Sequence, residues 1–266
     1  MNRREPTRTI RALWWGWKAA LSSAAEYRVD MVTGTIVSTV WLCIAITPML
    51  VVSANSAAAP GWSLPRLLFL QAVWYLMDGL LWMIALPNAW TLSSSVRDGQ
   101  LDATLLKPVD SLALCSLGRL EIQDVPKIVL GIGLGVWAMV AGGGPATPLA
   151  GASTVVAIVC ALCLLWSVTV LTHYKAISQV EFDGSFALHA VHNLARVPTP
   201  LYGPVIHVLL TVVVPVAFLT TIPAQLLFGE VPPVVVIACI AVAVLAIRLT
   251  AFLWRRELRH YTGAMS

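Results

Sequence analysis

The chain has 266 residues, of which 58% are hydrophobic and only 11% charged, and its mean hydropathy is +0.82. Soluble domains carry about 25% charged residues, so this composition excludes a water-soluble globule and makes lipid the expected solvent. The net charge of +4 is modest, no nucleic-acid partner is expected, and where the charges fall matters more than their sum.

The first 28 residues hold Arg3, Arg4, Arg8, Arg11, Lys18 and Arg28, and no clean apolar core precedes a small-residue cleavage site. No cleavable signal peptide is expected. Trp14, Trp15 and Trp17 lie among these bases and read as an interfacial helix over 1–29, with its rings at headgroup level.

A helix needs about 20 apolar residues to cross the hydrocarbon, and six runs qualify: 31–53, 67–92, 126–142, 149–171, 205–228 and 234–253. The second contains Asp78 near its middle, flanked four residues away by Trp74 and Trp82. An aspartate at a helix centre costs about 2.5–3.5 kcal/mol. It is tolerated where it faces protein or a wet cavity. Two readings stay open: a cation-receiving site lined by aromatic rings on a translocation path, or a structural hydrogen bond to a neighbouring helix.

Between the second and third runs lies a polar island at 97–108, within a polar region at 93–121. Leu101 and Leu105 are four apart, on one face of any helix formed there. A short amphipathic segment on a membrane domain is suited to touching something outside the membrane. The third run contains Gly131 and Gly135 in a GxxxG spacing, which permits close helix packing. Gly131-Ile132-Gly133-Leu134-Gly135 is no phosphate loop, because it sits inside an apolar run with no preceding strand. A tight turn at 142–145 leads to the fourth run, where Cys160 and Cys163 read as small packing residues rather than a redox or metal pair. The five cysteines imply no disulfide framework. His189 and His192 follow and read as a solvated pair on a cytoplasmic helix.

Pro215 and Pro223 break the fifth run. Each lacks an N–H and disfavours helix in the residue before it. Such breaks persist where protein or a water-filled cavity satisfies the freed backbone groups. The expectation is a span that turns back near the outer surface as a re-entrant helix pair ending at Gly229. The sixth run ends in a basic tail, 254–266.

Lys and Arg cluster in alternate connections: with the N-terminus inside, the outer loops hold only Arg66. This predicts a plasma- or inner-membrane protein with both termini and the 97–108 island cytoplasmic. The fold class expected is thus all-α and polytopic, one membrane domain over 1–266 with six transmembrane helices.

The island Gly99-Gln100-Leu101-Asp102-Ala103-Thr104-Leu105-Leu106-Lys107-Pro108 resembles the G-x-L-D-x-x-L-L-R-P pattern of ABC-2 type permeases. It is most similar to the ABC-2 family transporter proteins, which include proposed viologen and drug exporters. Leu209-Leu210-Thr211-Val212-Val213-Val214-Pro215-Val216-Ala217-Phe218, Ile222-Pro223-Ala224 and the tail from Arg259 to Ser266 match as well. The resemblance implies an exporter's transport subunit rather than an enzyme. Its partners would be a second permease, identical or homologous, and two separate ATPase subunits carrying ATP and Mg, with no cofactor on this chain. The missing GxxxxGK[ST] fits that division.

In such families the island is a coupling helix seated in a groove of the ATPase. On that reading Leu101 and Leu105 supply its apolar contact. Arg97, Asp98 and Asp102 fix orientation through charged hydrogen bonds, and Gly99 allows a sharp entry turn. Leu101→Asp is then expected to leave the protein in the membrane and abolish ATPase association. Drugs, antibiotics, viologen-like cations and lipids or glycolipids all fit an aromatic-rich path. A membrane-embedded enzyme would need a polar cluster at interfacial depth, and a non-transporting scaffold would have no ATPase gene beside its own.

Overall fold

The computed structural model describes residues 6–24, 28–54, 60–179 and 182–261, and among these it contains helices and turns but no strand. Twelve α-helices follow in chain order: α1 (Pro6–Ala24), α2 (Arg28–Ala54), α3 (Leu64–Leu80), α4 (Leu86–Arg97), α5 (Leu101–Leu105), α6 (Ser111–Leu117), α7 (Val125–Ala141), α8 (Pro148–His173), α9 (Ser185–Leu194), α10 (Pro204–Val208), α11 (Thr221–Leu227) and α12 (Val235–Leu258). Among the described residues, five helical stretches are long and apolar enough to cross a membrane: 31–54, 64–97, 122–141, 148–177 and 235–258.

α3 and α4 are one rod, joined through a π-helical turn at Leu81–Ala85. Pro87 explains how the rod accepts an outside partner. It has no N–H, so the Met83 carbonyl four residues back has no helical donor; the Glu121 amide supplies one at 2.9 Å. At about 1.5 Å per residue the 34-residue rod is about 51 Å long, well beyond the roughly 30 Å of bilayer hydrocarbon. The sequence places Asp78 at mid-span. In the structure it lies opposite the first turn of α7, where Lys127 meets it, with the whole of α4 still to follow. The rod runs over 64–97, so Asp78 remains close to its middle, as expected.

α3 is the hub of the core. Leu67, Leu70, Tyr75 and Met77 on it are fully buried, and the Tyr75 hydroxyl donates to the Ser38 carbonyl of α2. α7 packs along it at small-residue distance. A Cβ built on Gly131 would lie 2.9 Å from the Leu76 amide nitrogen, and one on Gly79 2.8 Å from Ile128 Cγ1. The expected packing role of the GxxxG spacing is what the structure has. A Cβ on Gly133, by contrast, would meet nothing beyond its own helix backbone within 4 Å. Gly131→Val should therefore cost about 1–3 kcal/mol by overpacking, seen as an earlier loss of monodisperse protein on heating in detergent. Gly133→Val should leave that profile unchanged.

The chain between α9 and α12 is broken and doubles back. The Thr199 amide donates to Thr221 Oγ1 at 3.1 Å, and the Thr220 hydroxyl donates to the Ala195 carbonyl at 2.6 Å. A straight helix would separate Thr199 and Thr221 by about 33 Å. The reversal occurs where the residue before Pro215 is forced out of helix: Val214 has φ −113° and ψ 100°. Pro223 breaks nothing, because it falls in the first turn of α11, where its missing N–H is harmless. α11 ends at the α7–α8 turn, where the Ala146 amide donates to the Leu227 carbonyl at 2.9 Å. Gly229 follows with φ +76°, and Glu230 pairs with Arg66 at 2.5 Å. Among the described residues, no helix long enough to cross lies in this stretch; α10 and α11 are short.

One expectation is overturned here. The helix carrying His189 and His192 is not a solvated surface helix. α9 packs against α8, and His192 is buried with its ring stacked on Trp74, centroids 4.8 Å apart. Hydropathy misses the burial of His192 because its ring nitrogen is met by Asp78 on another helix rather than by water.

Candidate functional site

The 97–108 island sits at one end of the helical body. α4 ends at Arg97, Asp98 follows as its C-cap, and the chain turns on Gly99, whose φ of +68° is left-handed and suits glycine at a helix C-terminus. The expected sharp entry turn is present. The apolar face of α5, however, points inward. Leu101 is 1% exposed and packs with Leu92 and Val96 of α4, Val170 of α8, Ile177 and Trp254 of α12. Leu105 joins the same cluster, half-buried. The expectation that Leu101 and Leu105 offer an apolar contact to a partner is thus corrected: the spacing identified a buried face, and the chain's own helices cover it. Arg97, Asp98, Gln100, Ala103, Lys107 and Pro108 are exposed, Gly99 and Asp102 are partly so, and Leu106 is the outward apolar side chain, 85% exposed.

Behind this tip, α6 is held from several sides. Asp110 caps it, its carboxylate accepting from the Ala113 amide at 3.0 Å. Indole N–H groups on three other helices donate to it: Trp17 of α1 to the Leu117 carbonyl at 2.7 Å, Trp166 of α8 to Ser116 Oγ at 3.0 Å, and Trp254 of α12 to Ser111 Oγ at 3.4 Å. The Asp110 amide also donates to the Thr9 hydroxyl of α1 at 3.1 Å. Asn88 of α4 completes the clamp. Its amide takes both backbone groups of Arg119, N–H to Oδ1 and Nδ2 to the carbonyl, each at 2.9 Å. The α6 region is therefore tied by hydrogen bonds to α1, α4, α8 and α12 together.

Cys115 reports on how closed this junction is. Burial pushes its thiol up to about 11, and the nearby Asp110 carboxylate adds to the shift. A raised thiol pKa means less thiolate at neutral pH, about 1% even at pH 9. Maleimide labelling of the Cys115 peptide, followed by mass spectrometry, should be negligible at pH 7.5 in the folded protein, rise towards pH 11, and be complete at pH 7.5 after denaturation in SDS.

The second candidate centre surrounds Asp78. Lys127 Nζ lies 3.0 Å from Asp78 Oδ2 and 2.9 Å from Asp124 Oδ1, while His192 Nε2 lies 3.1 Å from Asp78 Oδ1. The Trp74 indole donates to the His192 carbonyl at 2.9 Å. Arg196 sits 5.3 Å from the Trp74 ring and Lys127 5.3 Å from the Trp82 ring. Trp82 also meets Trp90 and His189 edge-on. The structure does bring Asp78, Trp74 and Trp82 together. The positions a bound cation would take against the carboxylate and both rings are filled by the protein's own Lys127 and Arg196. The hydrogen-bonding reading of Asp78 accounts for this geometry, and the cation-receiving reading does not. Among the described residues, no group of three His, Cys, Asp or Glu side chains is placed to hold a metal ion.

Sequence reasoning missed Lys127, His192, Asn88 and the indoles of Trp166 and Trp254. The available signal was a basic residue at the start of an apolar run, and tryptophans near the polar end of other runs.

A protein-family model described as "ABC-2 family transporter protein" matches residues 39–265. No curated protein and no solved structure matches the chain.

Proposed function

The chain belongs to the ABC-2 transporter family, and from that premise we propose that this membrane permease is driven by separate ATPase subunits docking on the exposed tip of the α4–α5–α6 hairpin. The supporting observation is the division of that hairpin into a root and a tip. Leu101 buries the root in its own helical body, while Leu106, Lys107 and Pro108 stand out beyond it. A lever needs both parts: a surface to be pushed and a rigid connection to what moves. Arg97 and Asp98 on the same exposed surface would orient the partner through charged hydrogen bonds.

On this reading two ATPases serve two permeases, identical or related. Both termini and the hairpin face the cytoplasm, as the Lys and Arg distribution indicates. ATP-driven closure moves α5, and the clamp around α6 carries that motion into α8 and α12. The cargo is a hydrophobic small molecule such as a drug or antibiotic, moved outward. A cationic cargo would need an acidic group other than Asp78, whose charge is met internally by Lys127. Purification of the full chain from its native membrane tests the assembly. Two ATPases per pair of permeases are expected, and a chain recovered with no ATPase in mild detergent contradicts the proposal.

A further inference from the structure

The α5 end of α12 carries a stripe of exposed arginines. Arg248, Arg255 and Arg259 lie on one helical face with Phe252 between them, spaced four, three and four residues apart. All are exposed, Phe252 to 61%. With Arg256 and His260 they line an open groove of about 980 Å³ in which no carboxylate is found among the described residues. Asp110, which caps α6, lies in the adjoining groove beside Arg255. Glu257 is turned the other way, accepting from the Ser178 hydroxyl.

Arg248 is the anomaly. It lies thirteen residues along α12, about 20 Å from the start of that span and so within a hydrocarbon layer of about 30 Å. Charged residues at such depth almost always face the protein interior and pair there. Arg248 is exposed on the outside of its helix, and no ion pair holds it among the described residues. Leu245 and Leu249 beside it are also outward, 69% and 44% exposed, as a lipid-facing surface requires. An arginine stem can snorkel towards the interface, and there the natural counter-charge is a lipid phosphate.

We propose that this stripe is a binding site for an anionic phospholipid. The headgroup phosphate is held by Arg248, Arg255 and Arg259, and an acyl chain lies along Leu245, Leu249 and Phe252. Guanidinium groups suit the task because they bind phosphate through paired N–H donors. The site adjoins α6 through the groove that Asp110 and Arg255 share, and it does not depend on what the transporter carries.

The test uses the full chain purified in mild detergent after equilibration with equal amounts of phosphatidylglycerol and phosphatidylcholine. Lipid retained is counted by mass spectrometry. The wild-type chain should keep phosphatidylglycerol in preference, and R248Q/R255Q/R259Q should lose that preference by about tenfold or more, while R11Q on α1 keeps it. Millimolar glycerol phosphate should not displace the lipid, since it lacks the acyl chain; displacement would mean a free-phosphate site and overturn the proposal. Equal retention of both lipids, or an unchanged preference in the triple variant, would also overturn it. So would loss of ATPase co-purification in the triple variant with lipid preference intact, because the stripe would then be a protein-docking surface.

Discussion

Leu106→Asp should abolish ATPase co-purification while leaving the permease in the membrane and as heat-stable as the wild type. Leu106 is 85% exposed, so a charge there meets water and changes stability by about 0.5 kcal/mol or less. In a docked complex the same charge would be desolvated in an apolar groove, and ATPase recovery should fall about tenfold or more. Leu101→Asp has the opposite profile. It buries a carboxylate among Leu92, Val96, Val170 and Trp254, at a cost of about 3 kcal/mol or more. That variant should lose heat stability and expression first, and ATPase binding only as a consequence. The two leucines, five residues apart, separate a contact surface from its foundation. Co-purification with an epitope-tagged ATPase, read beside a melting profile of the permease alone, distinguishes them.

Asp78→Leu should be the most damaging single change in the membrane-embedded body. It leaves Lys127 and His192 without their shared carboxylate in a site where both Asp78 and Lys127 are 13% exposed. Breaking one side of such a pair costs about 3–5 kcal/mol, because the remaining charge stays buried. Asp124, 2.9 Å from Lys127, softens the loss and places the expected value near the lower end. Asp78→Asn keeps a hydrogen-bonding group for His192 and should cost less. Adding Lys127→Gln to it should not recover the loss, since Asp124, 14% exposed and 2.9 Å from Lys127, is then left without its cation. Transport of cationic and neutral compounds should fall in parallel in these variants, tracking folded protein. A selective loss of cation transport in Asp78→Asn at unchanged stability would restore the aromatic cation site that Lys127 and Arg196 displace.

What the sequence discloses and what it withholds follow one physical division. Constraints local to the backbone are legible. Pro215 forces Val214 out of helix wherever the chain lies, Gly99 and Gly229 take left-handed angles at the ends of helices, and the Gly131–Gly135 spacing makes a groove for a close neighbour. The identity of a partner across space is not. The spacing of Leu101 and Leu105 shows that they share a face, but an ATPase groove and the chain's own α4, α8 and α12 are equally apolar covers for it. Lys127 lies 49 residues from Asp78, and nothing in the chain announces that they meet. α9 has no membrane-length apolar run, so its burial depends on His192, Asp78 and Trp74 satisfying one another. The last turn of the α3–α4 rod, residues 93–97, was hidden likewise, since it is helical without being hydrophobic.

Site-specific crosslinking tests the central claim most directly. Single photoreactive groups attached through Leu106→Cys and Leu101→Cys are compared in membranes containing the assembled transporter. The account predicts a permease–ATPase adduct from position 106, increased or decreased when ATP is bound, and none from position 101, which is shielded by its own chain. An adduct from position 101, or no adduct from position 106 in an assembly that hydrolyses ATP, would contradict it.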